Sequence, residues 1–144
     1  MRPLPESGHG QGQLRAHLGE RFAAAVAAKD VSSLRDILDP DMTFRGLTPS
    51  RVWEVNGLEE AVEVLFENWF EKKDRIVELE SVNAGGVQDR GRVDYRLRVH
   101  NPDGDYLVEQ VAYYDAESSR ITWMSILCSG YRAIVVGEEE LRKG

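Results

Sequence analysis

At Arg75 the hydrophobic pattern of this chain changes period. Before it, apolar residues recur every three or four positions. After it, they alternate. Helices followed by long alternating strands predict an α+β fold with an antiparallel meander. Leu14, Leu18, Phe22 and Val26 mark one face of a helix over 13–29. Asp30 offers a cap for a short second helix with Val31, Leu34, Ile37 and Leu38 inward, ended by Asp39 and Pro40. A short strand is expected over 41–47, then a loop with an extended piece around Trp53. Asn56 and Glu59 have capping-box spacing ahead of a third helix, whose stripe is Leu58, Val62, Leu65 and Trp69. Strands are expected at 75–84, 92–100, 105–115 and 120–131, with turns at "NPDG" and "AESS".

The "NPDG" turn serves as a ruler for the stretch "GRVDYRLRVH". Centred on Pro102 and Asp103, it pairs Val99 with Tyr106, Leu97 with Val108, Tyr95 with Gln110 and Val93 with Ala112. Cross-strand partners point the same way. The opposite face joins Arg98 with Leu107, Arg96 with Glu109, Asp94 with Val111 and Arg92 with Tyr113. Burying the apolar set gains roughly 25 cal/mol per Å², whereas burying four sparsely paired charges costs several kcal/mol each. Val93, Tyr95, Leu97, Val99, Tyr106, Val108, Gln110, Ala112 and Tyr114 are therefore expected inside. A three-residue second turn would pair Ala112 with Met124, Gln110 with Ile126 and Val108 with Cys128. A two-residue turn would instead bring Trp123, Ser125 and Leu127 inward, since a one-residue slip exchanges every side chain. The more apolar set, Met124, Ile126 and Cys128, favours the first.

The totals exclude several function classes. The chain has 144 residues, one domain's worth, with a net charge of −7 and no dense Lys/Arg cluster, which argues against nucleic acid. One cysteine permits no internal disulfide, and three scattered histidines show no metal-ligand spacing. No cofactor or metal is expected, and no phosphate loop appears. No apolar run reaches the roughly 18–20 residues of a membrane span, so a cytoplasmic protein without membrane association is expected. Residues 1–12 read as a loose tail, 13–136 as a single domain and 137–144 as a charged tail.

The order of elements, carried by "RFAAAVAAKDVSSLRDILDPDMTF", "WEVNGLEEAVEVLF" and "VEQVAYYDAESSRITWM", resembles the NTF2-like superfamily, and the SnoaL-like group in style. The resemblance spans about 13–132. It implies a cone of three N-terminal helices packed on a curved, mostly antiparallel sheet enclosing a pocket, often with a homodimer through the convex sheet face. Among the family's ketosteroid isomerases, the helix-1 Tyr falls on Phe22, the carboxylate base on Gly46 and the protonated Asp on Gln110. Phe and Gly supply neither donor nor base. In limonene-epoxide-hydrolase-like enzymes the Arg, Asp and second Asp fall on Val93, Tyr95 and near Ile126. The visible "RVD" at Arg92 to Asp94 is one residue out of phase. A cyclase would need pocket acids, for which only loop residues such as Glu54 offer themselves.

The expected pocket lining is Phe22, Trp53, Tyr95, Leu97, Val108, Gln110, Tyr114, Met124, Ile126 and Cys128. Apolar walls with a few placed polar groups suit a small, largely apolar ligand, oriented by Tyr95, Gln110 and Tyr114. Catalytic residues are not assigned. An enzyme of cyclase, isomerase or epoxide-hydrolase type, or a non-catalytic dimerisation module, are the alternatives. The second rests on Leu107, Val111, Tyr113, Trp123 and Leu127 on the convex face.

Overall fold

The computed structural model describes the backbone of residues 4–134 and the side chains of residues 15–134. The expected charged tail lies outside the described residues. Helix α1 spans Leu4–Ala28, beginning within the stretch read as a tail. It ends where Lys29 takes a positive φ of 52°. Asp30 then caps α2 (Val31–Ile37), accepting the Ser33 amide at 3.1 Å and the Ser33 hydroxyl at 2.6 Å. Strand β1 (Leu38–Thr48) starts three residues earlier than expected, and the loop after it is a true strand, β2 (Arg51–Asn56).

The expected capping box of Asn56 with Glu59 does not form. Gly57, at φ 104°, is the N-cap of α3 (Leu58–Glu63), and the Asn56 amide donates to Glu60 instead. Glu59 pairs with Arg35 on the surface. From Val64 to Trp69 the helix widens into a π-helical turn. That extra residue per turn buries Ala61, Val64, Leu65 and Trp69 and leaves Val62 partly exposed.

Strands β3 (Arg75–Val87), β4 (Arg90–Asn101), β5 (Gly104–Glu117) and β6 (Arg120–Cys128) are longer than expected except at the last end, where a separate β7 (Arg132–Ala133) follows. The sheet order is β2-β1-β6-β5-β4-β3, with β7 beside β5. Only β1 and β6 run parallel. Helix α1 packs across β3 and β4. No helix among the described residues is long and apolar enough to cross a membrane.

The β4–β5 register is the expected one at every position, from Val93 opposite Ala112 to Val99 opposite Tyr106. The β5–β6 pairing differs by two residues: Gln110 faces Cys128, Ala112 faces Ile126 and Tyr114 faces Met124. Glu117 pairs with Arg120, so the turn has two residues, and Ser118 and Ser119 both take positive φ. Parity survives because a bulge follows. Ala116 opposes Ile121, yet Asp115 opposes Trp123, so Thr122 is an extra residue. Met124, Ile126 and Cys128 consequently point inward and are buried.

The inner faces of sheet and helices close into one apolar core. Two glycines let aromatic rings into it. A methyl group at Gly46 would collide with the ring of Trp69, and one at Gly91 with the ring of Tyr114. Tyr106, expected inside, is only partly buried and meets the ring of Tyr131. Leu107, expected on the exposed outer face, is 3% exposed. The expectation lacked β7, which pairs Leu107 with Arg132.

Candidate functional site

Tyr95, Gln110 and Cys128 are lateral neighbours on β4, β5 and β6, forming one polar row across an apolar interior. The Tyr95 hydroxyl donates to Gln110 Oε1 at 2.5 Å. Gln110 Nε2 donates to Cys128 Sγ at 3.3 Å, and the Gly130 amide donates to the same sulfur at 3.4 Å. Burial pushes the Tyr95 hydroxyl well above the ordinary phenol range, and the neighbouring Cys128 adds to this. Tyr95 therefore stays protonated and acts as a donor. Phe22 packs its ring against Tyr95 with centroids 6.4 Å apart.

Trp69 lies over Gly46, between Phe44 at 5.8 Å and the edge of Trp53 at 6.4 Å. Its indole nitrogen is buried without a hydrogen-bond partner among the described residues. Trp53 is half-buried, with the Arg51 guanidinium over its face at 3.8 Å and its indole N–H donating to Thr48 Oγ1. Tyr131, which sequence reasoning did not select, packs between Phe70 and Tyr106 and donates to the Trp69 carbonyl at 2.9 Å.

Of the ten expected lining residues, Leu97, Val108, Met124 and Ile126 are buried apolar wall. Tyr114 stands apart from the polar row. It pairs four residues further along β5, about 13 Å away at the usual strand rise. Its ring fills the space at Gly19 and Gly91, and its hydroxyl donates to the Arg15 carbonyl. Tyr114 thus pins α1 to the sheet rather than orienting a ligand beside Gln110. These side chains close on one another, and Phe22, Leu97, Val108, Tyr114, Met124 and Ile126 expose no surface.

The row contains no carboxylate. Asp74 is a buried carboxylate that the sequence reading missed, because nothing in "EKKDR" marks it. Both its oxygens are engaged: Oδ1 by Asn101 Nδ2 at 2.9 Å, Oδ2 by the Glu71 amide at 3.0 Å. Lys29 Nζ donates to the Glu71 and Asp74 carbonyls at 2.6 Å each. Asp74 is therefore a clasp between a loop and the "NPDG" turn. Glu54 is exposed and faces Arg45. His100 points outward onto Asp105 at 2.9 Å. No group of three metal-ligating side chains occurs among the described residues.

Arg92 and Asp94 lie on the outer face and pair with each other at 2.8 Å, as the out-of-phase reading requires. On that face, the row of Asn83, Asp94, Val111 and Leu127 and the row of Ser81, Arg96, Glu109 and Ser129 border a groove of about 650 Å³, whose lining Pro49 and the intervening Tyr95, Gln110 and Cys128 complete. Arg96 bridges to Glu109 at 3.3 Å, the expected cross-strand pair, and Arg132 meets the same carboxylate. Asp94 Oδ1 is held by the Arg92 guanidinium, and Arg96 Nε is buried there without a hydrogen-bond partner among the described residues.

Helices on one side of a six-strand path with a single parallel neighbour pair match solved structures over most of the chain. An LEH-like epoxide hydrolase from M. tuberculosis superposes with a TM-score of 0.62 at 11% identity, covering 82% of this chain and 84% of that one. An NTF2-like protein of unknown function from Mesorhizobium loti gives 0.61 at 19% identity, covering 83% and 94%. The chain has the NTF2-like fold. Bal32a, from a soil-derived mobile gene cassette, shares it at a TM-score of 0.61 and 15% identity, covering 82% and 91%. No family model matches the sequence, and no curated protein matches it either. At such identities the likeness speaks for the fold, so function has to be argued from the NTF2-like interior itself.

Proposed function

We propose that this NTF2-like chain, in the SnoaL-like style, binds a small, largely apolar molecule against the row of Tyr95, Gln110 and Cys128. The observation that carries this is the linked row itself. Three polar side chains share one level of an otherwise apolar interior, where apolar groups of the same shape would serve packing about as well. A ligand's polar atom would exchange with the Tyr95 to Gln110 bond while its apolar body meets Phe22, Val108 and Ile126. Binding is favoured over turnover because the row holds no carboxylate and the family positions at Phe22 and Gly46 carry no acid or base. We also propose a cytoplasmic location, with neither nucleic acid nor membrane as a partner.

The test is native mass spectrometry of protein purified from cells. The native chain should carry a non-covalent mass. The double variant Tyr95→Phe with Gln110→Leu should lose it while staying folded, because replacing both hydrogen-bond partners by apolar groups of similar shape is close to neutral. An identical mass on both proteins, or none on either, would sink the reading.

A second reading concerns the outer face. Leu127 and Tyr113 are large apolar side chains left 56% and 38% exposed on this face, and Arg96 Nε lies buried beside Leu127 in the groove without a hydrogen-bond partner among the described residues. In a two-fold interface each contact occurs twice, so Leu127 and Tyr113 of both copies would be covered together, and exposed apolar side chains grouped on one face mark contact surfaces. We propose a homodimer through this face, and a chain that stays monomeric at micromolar concentration would remove it.

A further inference from the structure

The polar row is covered at one end by the segment from Ser129 to Ile134. Three steps along β5 separate Gln110 from Leu107, but four steps separate their partners Cys128 and Arg132. The chain after β6 is thus a bulged continuation of that strand along β5. The bulge falls at Ser129 and Gly130. Ser129 keeps contact with Glu109, its amide donating to the Glu109 carbonyl at 2.8 Å and its hydroxyl accepting the Glu109 amide at 2.9 Å. Gly130 has a φ of 76°, and its amide leaves the sheet to donate to Cys128 Sγ. Beyond it, Tyr131 folds inward onto Phe70, Tyr106 and the Trp69 carbonyl.

Little holds this segment down after Gly130. β7 is two residues long and pairs with β5 alone. Its further ties are the Ile134 amide on the Asp105 carbonyl, the exposed pairing of Arg132 with Glu109, the packing of Gly130 beside the Pro49 ring, and the Tyr131 hydroxyl, which donates to the Trp69 carbonyl and lies in hydrogen-bond reach of Asp74. Beneath it, Cys128 is 7% exposed and Gln110 2%. Short pairing, a glycine in the left-handed region and a partly exposed aromatic anchor mark a unit that opens separately from the rest.

We infer that β7 and Tyr131 form a flap, hinged at Ser129 and Gly130, whose opening admits a ligand to Tyr95, Gln110 and Cys128. This rests on the binding reading above, and it accounts for a row whose side chains are nearly buried in this structure. When the flap lifts, Tyr131 leaves the slot between Phe70 and Tyr106. The sulfur and amide of the row then face the entrance, and the ligand passes the vacated aromatic slot to bring its apolar body against Phe22, Val108 and Ile126.

Cys128 is the only cysteine in the chain, so its alkylation reports the opening without any engineered label. The experiment follows the rate of labelling by a small maleimide on the full chain across a series of urea concentrations. A flap predicts a rate that is nearly flat at low urea, since little surface is exposed, and that rises only when global unfolding takes over. Tyr131→Ala should raise the flat portion roughly tenfold. Ile121→Ala, a core truncation at the opposite end of β6 from Cys128, should lower global stability and leave the flat portion unchanged. A rate that follows global unfolding at every urea concentration, or that rises equally in both variants, overturns the flap. The readout needs no ligand. A flap seen by labelling with no bound mass in native spectrometry would retain the hinge and discard the binding reading.

Discussion

In an unfolded chain a tyrosine hydroxyl releases its proton near pH 10. Burial holds Tyr95 well above that, and pushes Tyr114 up to about 12. Below about pH 10 both states keep these protons and the difference costs nothing. Above it, the unfolded state binds fewer protons than the folded one, so stability falls as pH rises. The urea midpoint should therefore drop between about pH 10 and about pH 12, and Tyr114→Phe should blunt the drop. An unchanged midpoint across that window would show that both phenols ionise in place. Single residues also set what the sequence could reveal. The inward direction of Tyr95 and Gln110 followed from the register of the "NPDG" turn and the apolarity of the face they share, both local rules. Gly46 and Trp69 are 23 positions apart, and their collision-tight fit exists only once β1 and the π-helical turn meet. Asp74 was equally opaque, since its partner Asn101 arrives from another turn.

Thr122 decides the face of an entire element. The two-residue turn at Ser118 and Ser119 by itself would send Trp123, Ser125 and Leu127 inward, and the bulge at Thr122 reverses this. The burial preference of Met124, Ile126 and Cys128 was legible from their apolarity. The bulge was not, because inserting one unpaired residue costs less than burying the wrong face of a strand. Deleting Thr122 should consequently destabilise the protein by more than about 3 kcal/mol, beyond most single substitutions. Deleting Ser118, in the turn itself, should cost less, because the turn can reform. Urea unfolding of the two deletions compares them directly, and equal losses would deny the bulge its role. The element order was read correctly from the period change at Arg75. β7 was merged into the last strand because a bulge at Ser129 and Gly130 leaves the alternation of the sequence nearly intact.

At the scale of the whole molecule, the fold presents two unlike faces. The inner one is closed and apolar, and the outer one mixes paired charges with Tyr113 at 38% and Leu127 at 56% exposure. If the outer groove is a two-fold interface, Leu127→Glu should convert a dimer to a monomer in sedimentation velocity, with the unfolding midpoint losing its dependence on protein concentration. A wild-type chain sedimenting as a monomer would leave the variant nothing to change.

The parallel pairing of β1 with β6 carries a consequence for biosynthesis. β1 occupies residues 38–48, yet the strand that flanks it, β6, occupies residues 120–128 near the end of the chain. On a translating ribosome, β1 and β2 emerge early and wait with one edge bare while most of the polypeptide is made. The sheet is completed only when the last long strand emerges and slots between β1 and β5. Until then the nascent protein displays an unpaired edge of the kind that chaperones shield, and a truncated transcript that stops before β6 would yield two fragments of sheet joined only through the helices.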